Sequence, residues 1–172
     1  ALTKGTGPLF VYASCHGDQG SQPIDNALSL WGGWPLKVSD LTELLDRHED
    51  SSRGTRFVIT ACYGGGFAEL AFKAGDPRGG PRSPEHCGLF AAPWNDEASG
   101  CDPNPDRRAQ ESYGIHFMHA LSGTDRRSHP RMREIDLNGD QQVSLLEAHT
   151  YARIESRSFD IPTTTSERFL RE

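Results

Sequence analysis

His16, followed by Gly17, and Cys62, preceded by Ala61, each stand where a short apolar run ends. An imidazole and a thiol are the pair that thiol-dependent acyl transfer needs: the sulfur attacks a carbonyl carbon and the imidazole moves the proton. The runs are Leu9-Phe10-Val11-Tyr12-Ala13 and Phe57-Val58-Ile59-Thr60-Ala61. Both are rich in β-branched and aromatic residues, which suits buried strands. Strands joined by a helical crossover run parallel and end at one sheet edge, where open α/β sheets build their sites. That topology predicts His16 beside Cys62 in space, across the 45 residues (17 to 61) between them. The backbone N–H groups of Gly17 and of Cys62 itself are the candidates for holding a developing oxyanion.

The elements that must position this pair follow from the pattern around it. Asp40 and Glu43 resemble a helix start, and Leu41, Leu44, Leu45 and His48 share one helical face, which predicts the crossover helix. Residues 16–38 read as a long loop punctuated by Gly17, Gly20, Pro23, Gly32, Gly33 and Pro35. Its Trp31 and Trp34 either line a cleft or fold onto the sheet as a hydrophobic lid. Gly64-Gly65-Gly66 lead into a predicted helix over 67–74 that stops at Gly75. Cys62 then lies just before a helix N-terminus, where the backbone dipole favours negative charge. Cys87 to Pro93 is a third strand, 95–111 is irregular, and Ser112 caps a helix running through Phe117, Met118 and Leu121 to Gly123. A last helix covers about 144–159, and no repeat or linker interrupts what reads as a single domain over 1–172.

Composition narrows the partners. A net charge of -6 on 172 residues, with no block of Lys and Arg, excludes nucleic acid. The apolar runs fall far short of the roughly 20 residues that span a bilayer. With Cys15 and Cys62 at the proposed site, Cys87 and Cys101 remain either as a disulfide or as two ordinary thiols. His116 and His119 lie three apart on a predicted helix, a spacing that suits either a metal or an ordinary helix face. The paired-ligand patterns of catalytic zinc are absent. Asp18, Asp96 and Glu111 are carboxylates that a basic substrate side chain would seek, or solvated loop acids.

Phe10-Val11-Tyr12-Ala13-Ser14-Cys15-His16-Gly17-Asp18-Gln19-Gly20 together with Phe57-Val58-Ile59-Thr60-Ala61-Cys62-Tyr63-Gly64-Gly65 resemble the paired motifs of the caspase-like cysteine peptidases. Within that group the legumain-like family, which includes the glycosylphosphatidylinositol transamidase catalytic subunit, looks closest. Gly20 after the His-Gly pair, Trp34-Pro35-Leu36 to Leu45, and Gln110-Glu111-Ser112-Tyr113-Gly114 carry that likeness, the last resembling a Glu-Ser-Ser-Tyr-Gly stretch at the substrate cleft. The resemblance spans roughly 8–125. It implies a caspase-like three-layer α/β sandwich with a mostly parallel central sheet, His16 and Cys62 as catalytic dyad, and cleft roles for Ser112 and Tyr113. Family members carry a strand, a helix and a strand ahead of the His-Gly strand, so the expectation is a fold lacking the usual first strands, or an upstream segment that completes the sheet.

One motif lies outside the site. Asp136, Asn138, Asp140, Gln142, Ser144 and Glu147 occupy positions 1, 3, 5, 7, 9 and 12 of an EF-hand-like loop over 136–147. The chain departs from the pattern at position 6, where Gln141 replaces glycine. The expectation is a structural Ca2+ that pins the last helix; the alternative is an Asx-rich turn with a Ser144/Glu147 capping box. The function expected overall is a cysteine endopeptidase acting on peptide or protein substrates, with no organic cofactor. A transamidase or peptide ligase using the same dyad, or an inactive calcium-binding interaction module, are the alternatives. Localisation stays open, with a lean towards a secreted or cell-envelope bacterial setting over the cytoplasm.

Overall fold

The computed structural model describes residues 7–47, 53–100, 106 and 110–171. These gather into two compact units: the residues up to Glu97 with those from Thr163 onward, and the residues from Ala98 to Pro162. In chain order the first unit holds β1 (Leu9–Ala13), β2 (Gly17–Asp18), β3 (Ala27–Ser29), β4 (Pro35–Lys37), α1 (Val38–Arg47), β5 (Thr55–Ile59) and β6 (His86–Phe90). The second holds α2 (Tyr113–Leu121), α3 (Met132–Ile135) and α4 (Leu145–Glu155); β7 (Thr163–Thr164) and α5 (Thr165–Leu170) return to the first.

The first unit is mixed α/β. Its main sheet has four strands in the order β1-β5-β6-β7, parallel except for the last pair. The apolar runs read as strands form β1 and β5, and α1 is the crossover between them. Register makes the sheet's carboxyl edge level, because Ala13 pairs with Ile59 and Ile59 with Phe90. The ladder continues one step further through Thr60 N–H to the Ala13 carbonyl (2.9 Å) and Ala91 N–H to that of Ile59 (3.0 Å). Phe57, Ile59 and Phe90 from the sheet, Val38 from α1, and Phe67 and Leu70 form the buried core, with Leu41 and Leu45 packed on it. On β1, an edge strand, Leu9, Phe10 and Tyr12 are exposed.

Three expectations need correction. The stretch read as a loop over 16–38 contains a second sheet, antiparallel and ordered β2-β3-β4. Its strands are two or three residues long, too short for alternation to register. The helix expected over 67–74 is a 3₁₀ helix over Gly64–Ala71, buried throughout and followed by a separate turn at Lys73–Gly75. A 3₁₀ helix is slimmer than an α-helix. The space is narrow: a Cβ on Gly65 would lie 2.7 Å from the Pro93 backbone, and one on Gly66 would lie 2.7 Å from both Asn26 Nδ2 and the Pro23 carbonyl. The helix expected to reach about 159 ends at Glu155, and the short β7 and α5 beyond it carry too few residues to show a period.

Two buried charges fasten the first unit. Arg82, 3 % exposed, donates to the carbonyls of Leu70 (3.2 Å) and Phe72 (3.0 Å) and pairs with Asp46 of α1. Glu69, 2 % exposed, pairs with Arg168 of α5 at 2.7 Å. In the second unit α2 and α4 pack through buried Tyr113, Phe117, Ala148 and Ala152. Among the described residues no helix is long and apolar enough to cross a membrane.

Candidate active site

His16 and Cys62 each lie three residues beyond the paired strand ends Ala13 and Ile59, so both leave the sheet at the same edge. His16 is exposed and Cys62 half-buried. What joins the two segments is Gly17. A Cβ built on it would lie 2.0 Å from the Cys62 carbonyl oxygen and 3.1 Å from the Cys62 carbonyl carbon. The two backbones are therefore in direct contact, and only a residue without a side chain fits between them.

Peptide geometry fixes where the neighbouring amides point. In a trans peptide the C=O and the following N–H point in opposite directions. The His16 carbonyl accepts from Ser29 N–H of β3 at 2.9 Å, so the Gly17 N–H points away from β3. The Ala61 carbonyl accepts from Gly64 N–H at 3.2 Å inside the turn, so the Cys62 N–H points out of that turn. Tyr63 N–H donates to the Asp96 carbonyl at 2.8 Å, which turns the Cys62 carbonyl the other way. Tyr63 holds this corner at φ 58, a left-handed conformation that costs a non-glycine residue free energy and persists only where its surroundings enforce it. Its hydroxyl donates to Glu97 at 3.2 Å.

The enforcing residue is Asn26, which no sequence signal announced. It is fully buried at the end of a 3₁₀ turn, Pro23–Asp25. Its Nδ2 donates to the carbonyls of Tyr63 (2.9 Å) and Trp94 (2.6 Å), while its Oδ1 accepts from Gly20 N–H at 2.9 Å. One amide therefore ties together the segment after His16-Gly17, the corner after Cys62 and the segment after β6. A turn built on Pro23 and Asp25 is legible locally, but bonds reaching 37 and 68 residues away are not.

The other cysteines are placed differently. Cys15 is a free thiol whose ionisation is opposed by partial desolvation and by the Asp18 carboxylate. Cys87, also free, is pushed up by burial and by Glu85 despite the opposing charge of Arg56. The partner proposed for it, Cys101, lies outside the described residues. Trp31 is fully exposed and Trp34 is 80 % exposed, so these indoles are not a lid folded onto the sheet. Asp18 accepts from the Ser29 hydroxyl at 2.8 Å, and Asp96 accepts from Glu97 N–H at 2.9 Å.

In the second unit, Ser112 is the cap of α2, its hydroxyl accepting from Ile115 N–H at 3.3 Å. Tyr113 is completely buried against Phe117, its hydroxyl 2.8 Å from His149 Nδ1. Ser112 thus serves as a helix cap and Tyr113 as a core side chain. Glu111 is held by the His116 ring at 2.5 Å, the Arg157 amide at 3.1 Å and the Arg126 guanidinium. Burial pushes its carboxyl up, and these partners outweigh that and bring it below its ordinary value. It is an internal tie rather than a receptor for a basic side chain.

The loop over 136–147 curls around its own carboxylates. Asp136 accepts from the amides of Gly139 (2.7 Å), Asp140 (3.2 Å) and Gln141 (2.8 Å). Gln141 takes φ 65 at the position where the EF-hand pattern asks for glycine. Asn138 and Asp140 meet at 3.1 Å, and Asp140 accepts from Gln142 N–H at 2.8 Å. Glu147 reaches back to the amides of Leu137 (2.8 Å) and Asn138 (3.2 Å) and closes a capping box with Ser144. The Ser144 amide and hydroxyl hold the Glu147 carboxyl at about 2, against the pull of burial. Among the described residues no group of three or more His, Cys, Asp or Glu side chains is gathered around a common point for a metal. No protein-family model matches the chain, and no curated protein matches it.

The contact at Gly17 gives a direct test. Gly17→Ala forces the two segments apart, at a stability cost of about 1–3 kcal/mol from overpacking. The melting transition should stay cooperative and move to lower temperature. An unchanged melting temperature in Gly17→Ala would mean that the two backbones are not in this contact.

Proposed function

We propose that this chain is a cysteine endopeptidase of the caspase-like type, closest to the legumain-like family, with His16 and Cys62 as its dyad. The observation that carries the reading is the packing of Gly17 on the Cys62 carbonyl, which puts the segments bearing the imidazole and the thiol in backbone contact at one sheet edge. The arrangement of amides adds to it: the Gly17 and Cys62 N–H groups both point away from the structure that binds their partner carbonyls.

The reaction follows from those positions. His16 takes the proton from the Cys62 thiol, and the sulfur attacks the scissile carbonyl carbon. The carbonyl oxygen gains charge and accepts from the Gly17 and Cys62 amides, donors that need no rearrangement as charge develops. As the C–N bond breaks, His16 gives its proton to the leaving amine, and a thioester remains on Cys62. Water then attacks the thioester, losing a proton to His16, which returns it to the sulfur as the acid product leaves. In a transamidase an amine would take the place of that water.

Mass-spectrometric assay on reduced, carboxymethylated casein tests the reading. Wild type should cut it, Cys62→Ala should abolish cutting, and His16→Ala should lower the rate by at least about 10²-fold. Cleavage that survives Cys62→Ala would refute the assignment.

We also propose that the loop over 136–147 takes Ca2+ in a structural role, through Asp136, Asn138, Asp140, Ser144, Glu147 and the Gln142 carbonyl. The left-handed turn at Gln141 and the closure of Glu147 onto the start of the loop support this. Adding Ca2+ should raise the melting temperature of the wild type and leave that of Asp136→Asn/Asp140→Asn unmoved; no shift in the wild type would leave the loop as an Asx-rich turn.

A further inference from the structure

β3 and β4 form a hairpin whose register pairs Leu28 with Leu36 and Ser29 with Pro35. Beyond the last pair, Leu30 N–H reaches the Trp34 carbonyl at 3.4 Å, so Leu30 and Trp34 extend the same ladder to the tip. Side chains two residues apart on a strand share a face. Leu28 is buried in the core and Leu36 packs on it, so Leu30 and Trp34 continue that core-covering face past the core. There they are 45 % and 80 % exposed, and Trp31 at the tip is fully exposed.

The projection is a built feature. Gly32 at φ 95 and Gly33 at φ 81 make a turn that L-residues rarely adopt, although a Cβ at either would meet nothing within 4 Å. Glycine is required here by the backbone and not by space. The hairpin is also continuous with the candidate site: Ser29, one residue before Leu30, donates to the His16 carbonyl, and Gly17 pairs with Leu28. No residue from Ala27 to Leu36 is ionisable, so the surface offers contact and desolvation without charge.

We propose that Leu30, Trp31 and Trp34 receive a bulky apolar side chain of a peptide substrate, on a residue flanking the bond cut at Cys62. This rests on the peptidase reading. Aromatic side chains supply large contact area at little entropic cost, and an uncharged tip on the hairpin that binds the His16 carbonyl selects for uncharged peptide. A tip meant for acidic lipid would carry basic residues, and Lys37, beyond the hairpin's apolar stretch, is the first one after it.

The test uses the full chain and the Trp31→Ser/Trp34→Ser variant on reduced, carboxymethylated casein, with cleavage sites mapped by mass spectrometry. Wild-type cuts should be flanked by Phe, Leu, Ile or Met above their frequency in casein. The variant should lose that preference and at least about tenfold in kcat/KM, the expected worth of one buried apolar side chain. The rate at which iodoacetamide alkylates Cys62 should be unchanged, which separates lost substrate contact from a damaged dyad. Cleavage retained with the same preference overturns the proposal. Binding is read independently in Cys62→Ala, where tryptic casein peptides should shift indole emission to the blue. A shift with phosphatidylcholine vesicles but none with peptides makes the tip a lipid contact and also overturns it. If the wild type cuts nothing, the peptidase reading fails, and the emission experiment still decides whether the hairpin binds peptide.

Discussion

The arrangement depends on the side-chain amide of Asn26. Three segments beyond the carboxyl edge of the main sheet meet at it: the stretch after Gly17, the corner at Tyr63 and the stretch through Trp94. Asn26 satisfies one backbone group in each, from a position with no solvent exposure. Without it, two part-buried carbonyls and one part-buried amide would lose their partner, at up to about 1–3 kcal/mol for each group that water does not reach. Such a cost is large against the marginal stability of a small domain. The left-handed Tyr63 is held open by the same bond, so the conformation of the residue after Cys62 and the burial of Asn26 are one constraint.

That constraint explains why glycine recurs around the site. Gly17 lies on the Cys62 carbonyl, Gly65 on the Pro93 backbone, and Gly66 on Asn26 and Pro23. Backbones approach this closely only where no Cβ intervenes, and the close approach lets a thiol segment, an imidazole segment and the slim helix behind them share one edge. The surrounding core is conventional, with Phe57, Ile59 and Phe90 of the sheet covered by Val38, Phe67 and Leu70. The site's geometry is therefore backbone geometry, set by hydrogen bonds and glycine packing on a sheet whose strand ends are level.

Much of this scaffold was legible in the residues. β1 and β5 are continuous apolar runs, α1 shows its leucine stripe, and Ser112 and Ser144 announce the caps of α2 and α4. The pairing of His16-Gly17 with Cys62 followed from a topological rule. What escaped was non-local or short. The bonds of Asn26 join positions that no window spans, and the strands of the second sheet are two or three residues long. The helix after Cys62 was recognisable as helical, while its 3₁₀ form reflects the backbone crowding at Gly65 and Gly66. Tyr113, singled out through a motif likeness, is a core residue whose hydroxyl meets His149, 36 residues away.

The proposed dyad sets Cys62 apart from Cys15 and Cys87 as the thiol poised for acyl transfer. The most direct measurement treats the native protein with a peptidyl acyloxymethyl ketone and locates the adduct by mass spectrometry. The proposed dyad predicts a single thioether on Cys62, formed in the native state and lost in urea, in His16→Ala and in Asn26→Asp. An adduct on Cys15 or Cys87 with Cys62 unmodified, or labelling of Cys62 that is indifferent to His16 and Asn26, would contradict it.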